Sequence, residues 1–393
     1  MAEAREGFPA TREELTPGSG SWARSPLGIW VNPTTNWDEA LREADRDGRP
    51  LSGQRFFLSR DWLRNLSKVV DLEGEPILFS AQALGYSLGT IASFPMVSAE
   101  YRWLRQLSGF SHPHSPMFGP IRHLPVGSME EIARAFVDTV TANRPSWDVV
   151  DLAKMDPSSE AYTATRDAFL HRGWRVQEFY CFGNWYLPCE GLSFYEYLAD
   201  RPSVLKNTVR RKTRKFLRSP EARLAIYDST EGVEEAVRAF ERVWARSWKQ
   251  PDPNLHVIAD WARFCAEQGW LRLGVAWLGE TPIAVQFWIV QGGVATIYRL
   301  AYDEDYSGYS AGTILTAHLM ERVLDGDMVR EVDFLEGDEP YKRQWMSHRR
   351  ERWGMRAFNS RTPAGLAQGA WHFGRKKVKS LAKPVLDACR AGR

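Results

Sequence analysis

Cysteine is scarce in this chain. There are four in 393 residues (Cys181, Cys189, Cys265 and Cys389), and none forms a Cys-x-x-Cys pair. So few thiols in so long a chain exclude a disulfide framework and lead us to expect a reduced, cytoplasmic protein. Long hydrophobic runs are also missing. No stretch of about 18 apolar residues occurs, so no membrane-spanning helix is expected. Met1 to Pro26 has no apolar core of the kind a secretory signal carries. Several catalytic signatures are absent as well: there is no Gly-x-Ser-x-Gly elbow, no Walker loop and no dinucleotide fingerprint. His112, His114 and His123 have no Cys or carboxylate at ligand spacing, so no metal is expected. His318, in an apolar helical stretch, reads as a core histidine.

Net charge is nearly absent too, at +2 from 51 Lys/Arg and 49 Asp/Glu. That balance hides two basic segments. Between Ser203 and Pro220 there are seven Lys/Arg and no acid, and from Arg375 to Arg393 seven more against Asp387 alone. The rest of the chain is mildly acidic, so these two stretches call for anionic neighbours. The first predicts a basic helix with Leu205, Val209 and Phe216 on one face. It reads as a solvated helix on a core, or as a binder of a phosphorylated ligand or an RNA backbone. The tail interleaves Val378, Leu381, Val385 and Leu386 with lysines. It reads either as an amphipathic helix at an anionic membrane surface or as a docked terminal helix.

What is present is ordinary for a globular chain: 44% hydrophobic and 25% charged residues, with 17 tryptophans. Most of these should pack cores, although an aromatic-lined groove is compatible. Residues 1–50, rich in Gly, Pro and charge, read as an extension with little core of its own. Beyond them the pattern alternates. A helix is expected over Phe56–Leu66, strands over Pro76–Ser80 and Ser87–Met96, and a helix over Met129–Asn143. A strand over Asp148–Leu152, a helix over Ser158–His171 and a strand over Arg175–Cys181 come next. The second half is clearer. Ser203 is a plausible N-cap for the basic helix, and Val233, Val237, Phe240, Trp244 and Trp248 mark the next helix. Then come three apolar strands (Leu271–Trp277, Ile283–Val290, Val294–Tyr302), with Gly279-Glu280 and Gly292-Gly293 as tight turns. A loop, a helix over Thr313–Leu324, a strand over Val329–Phe334, a helix over Pro340–Ser347 and a strand over Arg352–Phe358 complete it. The class is α/β, with a first half that echoes the second.

Two segments carry the chemistry. Tyr306-Ser-Gly-Tyr-Ser-Ala-Gly312 succeeds a strand and opens a helix, a place where backbone N–H groups and the helix N-terminus favour a phosphate or pyrophosphate. Tyr309, Ser310, Ala311, Gly312 and Thr313 are the candidate cofactor-binding residues. The stretch Asp333-Phe-Leu-Glu-Gly-Asp-Glu-Pro-Tyr-Lys-Arg-Gln-Trp345 gathers Asp333, Glu336, Asp338, Glu339 and Lys342 with Tyr341 just after a core strand. Strand C-termini are where open α/β sheets bind ligands. There Lys342 could stabilise an oxyanion, Tyr341 could donate a proton, and a carboxylate among Asp333, Glu336 and Asp338 could relay one. Gln286, Trp288 and Arg299 on the strands, with Arg210 and Arg211 on the basic helix, are the candidate substrate-binding residues.

The meander, Tyr302, Tyr306, Ser310-Ala-Gly312-Thr, Asp333-Phe, Gly337-Asp-Glu-Pro-Tyr-Lys and Trp345 together resemble the GNAT-superfamily acyltransferases. The similarity is to the CelD-like branch, which is related to the Fem-type peptidyltransferases. Leu205-Lys-Asn-Thr-Val-Arg-Arg-Lys-Thr-Arg-Lys resembles the basic helix that opens the second domain in that branch. The resemblance covers residues 203–345 well and 51–200 only in outline. It implies two tandem GNAT-like domains, each a mixed, largely antiparallel sheet flanked by helices, the first degenerate. The expected divisions are 1–50, 51–202, 203–360 and 361–393. It also implies direct acyl transfer from acyl-CoA to the amine of a small molecule or sugar-type acceptor. Ser310, Gly312 and Thr313 would contact the donor phosphates, Lys342 would sit by the reacting carbonyl, and Asp333 and Glu336 would line the cleft. One departure stands out. The pyrophosphate loop of that superfamily usually opens on Gln or Arg, and aligning its first glycine on Gly308 puts Asp305 there. Aminoacyl-tRNA, the donor of the Fem-type relatives, is the alternative, and a non-catalytic binding protein on this fold is a third reading.

Overall fold

The computed structural model describes residues 28–36, 55–69, 74–83, 90–101, 103–122, 127–249 and 255–374. The basic tail, with its expected membrane contact, lies outside the described residues, as do His123 and Cys389. The backbone gathers into two compact units. One comprises residues up to Ser67, Asp71–Cys181 and Arg352–Arg393; the other is Phe182–Glu351 with Lys68–Val70. The chain therefore changes unit at 181/182 and 351/352, within two strands, whereas the sequence pattern suggests divisions at 202/203 and 360/361.

In the first unit, β1 (Ile29–Thr34), β2 (Pro76–Ala83), β3 (Thr90–Tyr101) and β4 (Leu104–Gly109) pair antiparallel in that order. The short β5 (Ile121–Arg122) adds to β3. β6 (Val149–Met155) lies parallel to β4, and the end of β13 (His348–Phe358) lies antiparallel to β6. Helices α1 (Arg60–Val69), α2 (Met129–Ala142) and α3 (Glu160–His171) belong to this unit, α1 as far as Ser67. A capping box between Ser128 and Glu131 starts α2. Its Ile132, Phe136 and Val140 are buried at helical spacing, and Phe136 stacks on Phe94 of β3 at 4.2 Å between ring centroids. β1 falls within the segment that reads as an extension, yet its Ile29 and Val31 are buried in this core. β4 has no counterpart among the strands expected from the sequence.

The second unit repeats the plan. β8 (Ala222–Tyr227), β9 (Leu271–Leu278), β10 (Thr281–Gln291) and β11 (Val294–Tyr302) pair antiparallel. β12 (Glu331–Glu336) lies parallel to β11, and the end of β7 (Arg175–Pro188) lies antiparallel to β12. Gly292 and Gly293 both have positive φ (55° and 74°), which permits the two-residue turn that joins β10 to β11 with the right twist. The helices are α4 (Phe194–Ala199), α5 (Ser203–Phe216), α6 (Val233–Ala245), α7 (Leu255–Glu267), α8 (Ala311–Glu321) and α9 (Lys342–Trp345). Ser203 is the first helical residue of α5 rather than its cap, and Pro202 precedes it without a side-chain cap. The helix expected over 340–347 is the single turn of α9. Four antiparallel strands, a helical crossover, a parallel strand and a last antiparallel strand thus occur twice, the α/β duplication expected.

The parallel ladders at the crossovers are short in both units. β4 and β6 share three pairs ending at Ser108↔Asp151, and β11 and β12 share three ending at Thr296↔Asp333. The two units differ beyond these pairs. In the first, the chain after β4 turns back beside β6: the Phe118 N–H donates to the Lys154 carbonyl at 3.1 Å. The Lys154 ammonium in turn donates to the His112 and Ser115 carbonyls at 2.9 and 3.4 Å. His114 and Ser115 are buried there. Segment 112–118 is therefore tied to β6 just where that ladder stops. In the second unit, the chain after β11 instead turns into a 3-10 segment (Glu304–Tyr309) and α8, and the strands part.

Candidate active site

The ladder between β11 and β12 ends at Asp333, and there β12 also bulges on its other edge. Pairing of β12 with β7 shifts between Asp333 and Glu336, and Leu335 takes a positive φ of 54°. Asp333 holds that shape. Its Oδ1 accepts from the Leu335 N–H at 2.8 Å and from Asn184 Nδ2 at 2.6 Å, and its Oδ2 accepts from Arg350 Nη2. Asn184 also donates to the Leu335 carbonyl at 2.9 Å and accepts from Arg350 Nε at 2.7 Å. Arg350 reaches Glu331 at 2.7 Å and lies 4.2 Å over the Tyr186 ring. Burial works against the Arg350 charge, but Asp333 and Glu331 outweigh it and hold its pKa above the ordinary value. With both oxygens engaged and 1% of its surface exposed, Asp333 shapes the strand end and does not face open space. That corrects its expected place among the reacting groups.

Beyond the bulge, Gly337 turns the chain with φ of 117°, a region open only to glycine. A Cβ there would meet Glu339 Oε2 at 2.3 Å and Lys342 Nζ at 2.7 Å. This tight turn folds Lys342 back under the strand end. Its ammonium is buried, donates to the Glu336 carbonyl, lies 3.0 Å from Glu339 Oε2, and sits 5.8 Å over the Phe334 ring. Two of its three donors are thereby engaged. Tyr197 of α4 supports this turn by donating its hydroxyl to the Trp345 carbonyl at 2.8 Å. Tyr341 packs edge-on to Phe334 at 5.8 Å. Desolvation of its hydroxyl, then the Glu339 charge, raise its pKa, although the residue keeps 41% of its surface exposed. Asp338 faces elsewhere, in a forked pair with Arg349 (2.7 to 3.1 Å) and accepting from Trp185 Nε1 at 2.8 Å. The Arg349 hydrogen bonds hold its pKa low and engage both of its oxygens. The Glu336 side chain is exposed, and its carbonyl is the part that meets Lys342.

Opposite lies the loop that opens α8. Asp303 is buried, accepts from the Asp305 N–H at 3.1 Å and pairs with Arg246 at 3.2 Å; Arg246 also reaches Asp305 at 3.5 Å. Ser310 adopts the left-handed conformation, and Ala311, Gly312 and Thr313 form the first turn of α8. A Cβ on Gly308 would meet nothing within 4 Å, and one on Gly312 only Tyr302 at 3.6 Å. The loop thus has open space at Gly308, just before the N-terminus of α8 that residues 310–313 form. Lys212 of α5 donates to the Gly308 carbonyl at 2.7 Å, and Phe216 packs edge-on to Tyr309 at 6.0 Å. Arg210 and Arg211 are exposed on the same helix.

Gln286 and Trp288 differ from expectation. Both are buried, at 1% and 0% exposure. Gln286 donates to the Gly312 carbonyl at 2.9 Å and to Thr316 Oγ1 at 2.7 Å, and accepts from Trp288 Nε1 at 2.9 Å. They latch β10 to the first turn of α8 from within the core. Arg299 stays half-buried on β11 past the end of the ladder, over the Tyr298 ring at 4.8 Å.

Two residues gain a place that the sequence does not give them. Glu339 belongs to the acidic cluster but has no role assigned by its spacing. Burial alone would raise its pKa, but its own backbone N–H, Lys342 and Lys249 hold it below the ordinary carboxylate range. The other is Lys249, just past α6. Its ammonium lies 5.1 Å over the Trp248 ring, which packs on Tyr302 at 4.4 Å. Desolvation, then Arg299, lower its pKa, with Lys342 adding to the shift and Glu339 opposing it; the side chain is exposed, which tempers the effect. A cation that directly succeeds the Trp244–Trp248 face has no sequence signal of its own. Among the described residues, no cluster of His, Cys, Asp or Glu suits a metal ion, and no helix is long and apolar enough to cross a membrane.

Residues 203–343 match the family described as "Acetyltransferase (GNAT) domain". No curated protein matches the sequence. Among solved structures, FemX is similar with a TM-score of 0.53 and 10% identity, over 81% of this chain and 95% of that one. A conserved protein of unknown function from Bacteroides thetaiotaomicron VPI-5482 is similar with a TM-score of 0.51 and 11% identity, over 83% and 98%. At such identities the likeness is one of fold.

Proposed function

We propose, from the match of residues 203–343 to the family described as "Acetyltransferase (GNAT) domain", that the protein moves an acyl group from an acyl-CoA thioester to the amine of a small molecule by direct transfer. The observation that carries this reading is the parting of β11 from β12 after Thr296↔Asp333. The α8 N-terminus lies at one side of the mouth, and Lys342, Tyr341 and Glu339 succeed β12 at the other. The donor diphosphate suits the N–H groups of Ala311, Gly312 and Thr313, with Lys212 beside the loop. The amide-bearing arm of the donor suits the edge of β11 past Thr296, in the manner of an added strand.

The amine attacks the thioester carbon, forming the C–N bond and placing negative charge on the former carbonyl oxygen. Collapse breaks the C–S bond and releases the thiol. The remaining Lys342 donor stabilises the oxyanion. Glu339, ionised at neutral pH, accepts the proton shed by the amine, and the protonated Tyr341 hydroxyl supplies one to the departing thiolate.

The runner-up donor is aminoacyl-tRNA. It draws on the exposed cations of α5, which flank the loop through Lys212. Thermal unfolding with acetyl-CoA, longer acyl-CoAs and charged tRNA separates the readings. A ligand at about 100 times its Kd stabilises by about 2.7 kcal/mol. A shift with a CoA thioester is expected. A shift with tRNA alone reverses the ranking, and none with either favours a binding protein.

A further inference from the structure

We infer that the outer face of α5 docks on the surface of an anionic lipid bilayer, a contact independent of the acyl-transfer reading. The inner face of α5, formed by Leu205, Val209 and Phe216, is buried in the core of the second unit. Lys212, on its margin, donates to the Gly308 carbonyl at 2.7 Å. The helix is thereby fixed with its opposite face outward. On that face Lys206, Arg210 and Arg214 recur every four residues, about 6 Å apart along the axis. Arg218 continues the spacing just past the helix end, and Arg211 and Lys215 form a second row. Lys206 is half-buried and donates to the Ala199 carbonyl at 2.8 Å; the others are exposed.

No acid occurs between Ser203 and Pro220, so the neighbours within each row are of like charge, which destabilises a helix. On α6, by contrast, Glu234 pairs with Arg263 at 2.6 Å and Glu235 with Arg223 at 3.5 Å. A face that bears such repulsion is complementary to a surface rich in anions. The rows are of the size, roughly four to eight cations, that holds a helix to an anionic leaflet. Two apolar side chains then decide between a bilayer and a nucleic acid. Val204, in the first turn, is 72% exposed, and Leu217, the C-cap, is 53% exposed. A nucleic-acid strand matches the cations but offers these two side chains nothing apolar to enter. A bilayer surface supplies both partners: lipid phosphates for the rows and the acyl boundary for Val204 and Leu217.

The test sediments the full chain with vesicles of phosphatidylcholine alone and of phosphatidylcholine with phosphatidylglycerol. The basic segment 375–393 is present in every protein compared, so differences between variants report on α5. The wild type should prefer the anionic vesicles by tenfold or more. Arg210→Gln/Arg214→Gln/Arg218→Gln should lower that affinity at least tenfold, from about fivefold for each cation removed. Lysine at the same three positions should keep it. Val204→Ser/Leu217→Ser should lower it threefold or more. The inference is overturned if anionic and neutral vesicles bind alike, or if the glutamine variant keeps the preference. It is also overturned if the lysine variant loses binding as fully as the glutamine variant, because charge is then not the cause. An affinity that Val204→Ser/Leu217→Ser leaves unchanged, or an RNA duplex that displaces the protein from vesicles at equal phosphate, overturns it in favour of a nucleic-acid partner.

Discussion

Asn184 of β7 donates to Asp333 Oδ1 at 2.6 Å and to the Leu335 carbonyl at 2.9 Å, bridging the bulge at which β12 leaves β11. The carboxylate in this bridge is buried against Arg350. Asp333→Ala therefore leaves a mostly buried guanidinium with Glu331 as its remaining carboxylate, so the cost should lie at the low end of the about 3–5 kcal/mol that breaking a buried pair incurs. Urea denaturation should show a loss of that size. An unchanged midpoint with lost activity would instead return Asp333 to the reacting groups.

Gly337→Ala tests the turn that carries Lys342. The positive φ alone costs about 1–3 kcal/mol for a residue with a side chain. The new methyl group also collides with Glu339 and Lys342 Nζ. Because both are proposed to act on the reacting atoms, acyl transfer should fall more than stability does, by tenfold or more in kcat. A variant with wild-type kcat would show that the ion pair can move without consequence.

Lys342→Ala should keep the fold, as judged by circular dichroism, and lower transfer by about tenfold to a thousandfold, the range for removal of one oxyanion donor. The loss should appear in kcat rather than in the KM of the donor, because the interaction strengthens as charge develops. Unchanged turnover would remove Lys342 from the mechanism.

Much of the second unit is legible in the sequence because its strands are long apolar runs closed by glycine turns, as at Gly292-Gly293. The first unit is less so. β4, Leu-Arg-Gln-Leu-Ser-Gly, pairs on both sides yet carries polar residues, so it lacks the hydrophobic signature of a buried strand. The loop 306–312 and the Lys342 segment stand out by their local pattern. The roles within them do not, because they depend on pairing across the sequence. Asp333 and Glu339 look alike as carboxylates. Asn184, 149 residues away, and Arg350 make the first a brace, and the turn at Gly337 brings the second to a buried lysine. Gln286 is polar on an apolar strand, which suggests a cleft; its partners are on α8, 26 and 30 residues on. The closed end of the first unit depends on Lys154 finding the carbonyls of His112 and Ser115, which no spacing rule anticipates.

The last prediction concerns pH. Desolvation, then Arg299, set the Lys249 pKa below the ordinary lysine value of 10.5. The unfolded chain therefore holds that proton more tightly than the fold does, so the fold gains stability as pH rises through the interval between the folded and unfolded values. The gain is small because the side chain is exposed. Lys249→Arg keeps its charge throughout, so the stability difference between wild type and Lys249→Arg, read by urea denaturation, should move in favour of the wild type on the alkaline side. A difference that does not change with pH would show that Lys249 titrates alike in the folded and unfolded chain.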